Sequence, residues 1–93
     1  MSKEVTDNPE EERYEIRVDG ALAGFAEYRR EADQVVFTHT EVDGAFAGQG
    51  VGGALVRGAL DDVRAKGLAV QAQCPFVKGW IDKHPDYQDL VKS

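Results

Sequence analysis

A chain of 93 residues that is 42% apolar makes one globular domain with a modest core. Its net charge of −6 argues against general nucleic-acid binding, which relies on Lys and Arg meeting phosphates. The single cysteine, Cys74, excludes an intrachain disulfide, and the acidic opening MSKEVTDNPEEE offers no secretory leader or membrane-length apolar run, so a cytoplasmic protein without nucleic-acid or membrane partners is expected.

Residues 1–12 carry one apolar residue after the initial methionine, Val5, and are expected to form an acidic, flexible tail, leaving 13–93 as the domain. From Arg13 to Val18 the chain alternates, with Tyr14, Ile16 and Val18 on one face of a half-buried strand. Asp19-Gly20 is a hairpin turn signal. Leu22 to Tyr28 reads as a second strand, and the charged run Arg29 to Asp33 as the next turn. Gln34 to Val42 is a third strand, rich in β-branched residues. Strict alternation puts Val35, Phe37, His39 and Glu41 on one of its faces and Val36, Thr38, Thr40 and Val42 on the other. Short links between these three strands predict an antiparallel meander.

The period then changes. Val51, Leu55, Ala59 and Val63 recur every four residues, widened by Val56 and Leu60, which predicts a helix from Gly50 to about Lys66. Arg57 and Asp61 stand at pairing distance on its outer face, and Gly67 is a C-terminal cap. Gly58 inside this helix is costly unless something packs closely against it. Leu68 to Gln73 is a fourth strand. Pro75 opens a short helix whose face is Phe76, Val77, Trp80 and Ile81; Pro85 ends it, and Tyr87 to Val91 adds a final turn. Phe37, Phe76 and Trp80 read as core, and His84 as a surface residue beside the helix end.

Between the third strand and the long helix lies FAGQGVGGAL, with glycines at 48, 50, 52 and 53. Glycines admit close approach of a ligand to the backbone. The first N–H groups of a helix have no partner within it, and together the two features make an anion pocket. A dinucleotide fingerprint fits Gly48, Gly50 and Gly53 but needs an acidic residue about twenty positions on, where the chain reads Gln71-Ala72-Gln73. No Lys-Ser or Lys-Thr pair follows the glycines, which excludes a P-loop. The remaining reading is a loop for the pyrophosphate of coenzyme A.

The order β-β-β-α-β-α, with AGQGVGGAL after a strand ending at Val42, resembles the acetyl-CoA-dependent N-acetyltransferases related to Gcn5. Gly50 and Gly52 fill the glycine positions of that family's Gln/Arg-x-x-Gly-x-Gly/Ala loop, and Ala47 stands where Gln or Arg is usual. A closer similarity is to the small single-domain YjdJ-type branch, through His39-Thr40-Glu41-Val42, the glycine loop and helix, and Cys74-Pro75-Phe76-Val77; it spans about Tyr14 to Val91. The resemblance implies a minimal α+β fold, a meander followed by β-α-β-α with the helix packed on the sheet. It implies acetyl-CoA as cosubstrate, no metal, and an amine acceptor, either a small molecule or a protein lysine, on a monomer or weak dimer.

It also implies roles for particular residues. The N–H groups of Gln49, Gly50, Val51, Gly52 and Gly53 would hold the pyrophosphate, with Val42 at the strand end beside the pantetheine. The third and fourth strands would splay, with His39, Glu41 and Cys74 near the opening. Cys74, ahead of a helix N-terminus that favours a thiolate, reads as a nucleophile that takes the acetyl group, or as a small buried apolar residue. His39 reads as a base for the thiol or the amine, or as a histidine hydrogen-bonded within the sheet. Glu41 reads as a base, an orienting carboxylate or a solvated strand end. Tyr87 reads as an acid for the departing thiolate, or as packing. An acyl-CoA-binding module without transfer, and an interaction domain that kept only the fold, are the alternatives to an enzyme.

Overall fold

Five strands form one sheet in chain order: β1 (Lys3–Asn8), β2 (Arg13–Val18), β3 (Ala21–Arg30), β4 (Gln34–Val42) and β5 (Ala69–Ala72). The computed structural model describes residues 2–91. The first four strands run antiparallel, and β5 joins β4 in parallel. A parallel neighbour needs a crossover, which helix α1 (Val51–Ala65) supplies. Helix α2 (Pro75–Asp82) follows β5, and short 3₁₀ segments cover Gly44–Phe46 and Pro85–Leu90. This is the expected α+β architecture with a helix packed on a sheet.

Local chemistry accounts for the joints. Asp19 and Gly20 both have positive φ, 50° and 87°, and Val18 pairs directly with Ala21, so this is the two-residue hairpin whose twist matches its strands. At the end of α1, Gly67 takes φ 71°, its N–H bonds the carbonyl of Arg64, and the N–H of Leu68 bonds that of Val63, which is the Schellman arrangement. The apolar stripe of α1 (Val51, Leu55, Val56, Ala59, Leu60 and Val63) is buried, against a sheet face that contributes Tyr14, Ile16, Val18, Tyr28 and Phe37.

In place of the flexible tail expected over residues 1–12, Lys3–Asn8 pairs along its whole length with β2, from Lys3↔Val18 to Asn8↔Arg13. The strand is held by contacts distant in sequence. Val5 packs on Gly58 of α1, where a Cβ would stand 2.7 Å from the Val5 side chain. Asp7 accepts hydrogen bonds from the Tyr28 hydroxyl at 2.6 Å and from Lys66 Nζ at 3.0 Å. An edge strand of charged residues is protected from pairing with other chains, and is for the same reason hard to see in a sequence.

The sheet's other face carries one buried carboxylate. Glu15 is 5% exposed and accepts from Arg13 at 2.8 Å, Arg17 at 3.3 Å and Asn8 at 3.2 Å. Burial works to raise its pKa, but the hydrogen bonds from Arg13 and Asn8 and the two guanidinium charges outweigh it and hold the carboxyl below its usual range.

Candidate functional site

β4 and β5 part company halfway along β4. Their pairing ends at Phe37↔Ala72, and the carbonyl of Phe37 takes the N–H groups of both Gln73 (2.9 Å) and Cys74 (3.0 Å). Pro75 then starts α2 and draws the chain off the sheet. β4 continues to Val42 with no β5 neighbour, which leaves a wedge beside Thr38 to Val42.

A bulge decides which side chains meet in that wedge. Tyr28 opposes Phe37 and Glu27 opposes His39, so Thr38 is the additional residue in β4. Strict alternation places His39 and Glu41 with Phe37. The bulge moves both to the opposite face of the sheet, with Phe25, whose ring centre is 6.4 Å from that of His39. It brings Thr40, the partner of buried Ala26, onto the face that packs against α1. His39 and Glu41 are therefore brought together, Nε2 to Oε1 at 3.0 Å, with both side chains more than half exposed. Cys74 meets Thr40 instead, Sγ to Oγ1 at 3.4 Å.

Cys74 is 4% exposed and caps the N-terminus of α2, as its place before Pro75 implied. The second residue of α2, Phe76, is 47% exposed rather than core, and its ring lies across Gly52: a Cβ there would meet Phe76 Cζ at 2.7 Å. Trp80 Nε1 approaches Gly53 to 3.5 Å of the same construction. The first turn of α2 thus joins the cysteine to the glycine loop.

Gly50 is the N-cap of α1 and takes φ 72°, a left-handed conformation that glycine adopts without strain. The carbonyl of Gly50 accepts the N–H of Ala54 at 3.1 Å. The N–H groups of Val51, Gly52 and Gly53 precede that bond and have no acceptor within the helix. Gln49 differs from expectation. Its N–H turns back to the carbonyl of Phe46 at 3.4 Å, and its own carbonyl accepts from Lys3 Nζ at 3.0 Å. Val42 ends β4 at the rim of an open groove of about 450 Å³, lined by Leu22, Gly24, Phe25, Glu41, Val42 and Asp43.

The Tyr87 hydroxyl donates to Asp61 at 2.7 Å and accepts from Arg57 at 3.2 Å, so it stands between the two α1 residues expected to pair directly. The hydrogen bond to Asp61, with burial, raises its pKa above the ordinary tyrosine value. The hydroxyl is engaged by these two partners, which is the packing reading. His84 bonds the carbonyl of Trp80 at 2.6 Å and stacks on its ring at 3.7 Å.

The family model of the GCN5-related N-acetyl-transferases matches residues 13–90. The chain belongs to that family. Among solved structures, it is similar to a GCN5-like protein from Staphylococcus aureus, at 26% identity and a TM-score of 0.72, over 97% of this chain and 88% of that one. It shares its fold with Ard1 from Thermoplasma volcanium, at 20% identity and a TM-score of 0.62, over 81% of this chain and 55% of the other. No curated protein matches the chain significantly. Two residues that sequence reasoning missed lie against this candidate site: Thr40 beside Cys74, which only the bulge reveals, and Lys3 beside Gln49, in a stretch with too little apolar content to read as a strand.

Proposed function

We propose that the protein takes an acetyl group from acetyl-CoA and passes it to an amine by way of Cys74. The observation that carries this reading is the first turn of α2, which sets Cys74 at the wedge and Phe76 on the glycine loop, so that one extended ligand reaches both. The family's use of acetyl-CoA supports it.

In this reading the N–H groups of Gly50, Val51, Gly52 and Gly53 receive the pyrophosphate at the positive end of α1. The pantetheine runs along the free edge of β4 from Val42, where backbone groups have no β5 partner. The sulfur of Cys74 attacks the acetyl carbonyl carbon, the bond from that carbon to the CoA sulfur breaks, and the proton of the thiol leaves with the CoA thiolate. Thr40 Oγ1 orients the attacking sulfur. An amine then attacks the acetylcysteine, a C–N bond forms, and the Sγ–C bond breaks. His39, held by Glu41, takes a proton from the incoming ammonium before attack, and the second proton, released as the C–N bond forms, returns to the Cys74 thiolate. The amine enters from the His39 face of the sheet, opposite α1. There the carboxylates of Glu41 and Asp43 favour a cationic group.

A second reading, an acyl-CoA-binding module with little or no transfer, is favoured by the burial of Cys74. Titration with acetyl-CoA followed by intact mass separates the two. Transfer through Cys74 predicts a gain of one acetyl group, lost again on addition of an amine acceptor. Binding with no mass gain and no amine turnover supports the module. Absence of any binding removes both.

A further inference from the structure

We propose that Lys3 is the cation of the phosphate-binding loop, supplied from β1 in place of a basic residue within the loop; this rests on the CoA reading above. From Asp43 to Val56 the chain carries no Lys or Arg. The nearest cation of α1, Arg57, is turned to Tyr87 and lies over the Trp80 ring at 5.3 Å. Lys3 reaches into the loop from another strand. Its Nζ lies 3.0 Å from the Gln49 carbonyl and 4.0 Å from the point a Cβ would occupy on Gly50.

The reach is built by the strand. Lys3, Val5 and Asp7 share the face of β1 that meets α1, and they track the helix from end to end. Asp7 holds Lys66 at its C-terminus, Val5 sits on Gly58 at its middle, and Lys3 arrives at the loop that opens it. An ammonium carries three donors. Gln49 takes one, and among the described residues Lys3 has no carboxylate partner.

Two electrostatic facts point to a ligand rather than to folding. A cation at the positive end of a helix is unfavourable, so beyond its bond to the Gln49 carbonyl Lys3 gains at this place when an anion joins it. A protein of net charge −6 also repels a polyphosphate at long range, and Lys3 offsets that locally at the loop.

The test is titration of wild type, Lys3→Gln and Lys3→Arg with coenzyme A and, separately, with pantetheine, which lacks the phosphates. Lys3→Gln should bind coenzyme A about fivefold more weakly at low ionic strength. That difference should shrink in about 1 M salt, where the screening length is about 3 Å. Pantetheine should bind both proteins equally, Lys3→Arg should keep most of the affinity, and the melting temperature of free Lys3→Gln should be unchanged or higher. In the wild type, the Lys3 side-chain NMR signals should move with coenzyme A and not with pantetheine, which tests the contact without any variant. Equal affinity of Lys3→Gln and wild type for coenzyme A overturns the proposal, as does an equal loss toward pantetheine. A wild type that fails to bind coenzyme A overturns the reading of the loop itself.

Discussion

Val5 occupies the space that a side chain on Gly58 would need, its Cβ 2.7 Å from where that of residue 58 would stand. The contact fastens the first strand to the long helix and explains a glycine in a helix interior. Gly58→Ala gains roughly 1 kcal/mol in helix propensity but over-packs the contact, which costs typically about 1–3 kcal/mol. A net loss of about 1 kcal/mol is expected in chemical denaturation. In a Val5→Gly background the same substitution should turn stabilising. If Gly58→Ala stabilises the protein with Val5 in place, β1 does not pack on α1 as described.

Cys74 and Thr40 should separate chemistry from binding. Cys74→Ala is expected to abolish the acetyl-enzyme seen by intact mass while coenzyme A affinity stays within about twofold. Thr40→Val keeps the shape and removes the hydroxyl at the sulfur. It should slow acetyl-enzyme formation about tenfold, the scale of one hydrogen bond. Full amine turnover by Cys74→Ala would mean that the acetyl group goes directly to the amine.

If transfer runs through Cys74, the bulge at Thr38, which turns His39 away from the sulfur, leaves His39 only the second half-reaction. His39→Ala should leave the rate of acetyl-enzyme formation unchanged and slow its discharge to an amine by about 100-fold, the lower end of a positioned base's contribution. Single-turnover kinetics with each half followed separately reads this. An equal slowing of both halves would place His39 beside the thiol, contrary to the observed register.

Alkali should loosen the attachment of β1. Burial, together with hydrogen bonding to Asp62 and Asp7, raises the pKa of Tyr14 and Tyr28, and the hydrogen bonds to Asp62 and Asp7 raise that of Lys66. Groups whose pKa is raised by folding contribute stability that is whole below the unfolded value, about 10 for Tyr and Lys, and is lost as pH climbs past it. Denaturation midpoints should therefore be level from neutral pH up to about pH 10 and fall above it. Tyr14→Phe should cost about 1 kcal/mol at neutral pH through the lost bond to Asp62, and flatten the alkaline slope. An unchanged slope would mean that Tyr14 ionises as freely in the folded protein as in the unfolded one.

Most of the architecture was legible from residues 13–93, because hairpin, helix and cap each carry a local signal: Asp19-Gly20, the Val51-Leu55-Ala59-Val63 stripe and Gly67. The first strand was not, since its hold on the domain lies in partners far along the chain, Gly58, Tyr28 and Lys66. Gly58 was its one trace in the sequence, a glycine that asked for a close neighbour without naming it. Within the site, the glycine loop and the place of Cys74 before α2 were readable from order alone. The separation of His39 from Cys74 was not, because Thr38 looks like any other β-branched strand residue and its extra count appears only when β3 is laid beside β4.

That one uncounted residue sets the parity of the strand beyond it. Odd positions 39 and 41 look toward the side from which an acceptor would come, and even positions 40 and 42 toward the helix side. Changes at the odd positions can alter the choice of acceptor without touching the donor side, so the two halves of a small protein are free to diversify separately. Were Thr38 to enter the regular ladder opposite Glu27, the two sets would exchange in a single step, whereas its deletion would leave them as they are, so the register of this strand, more than any one side chain in it, fixes which set faces which side.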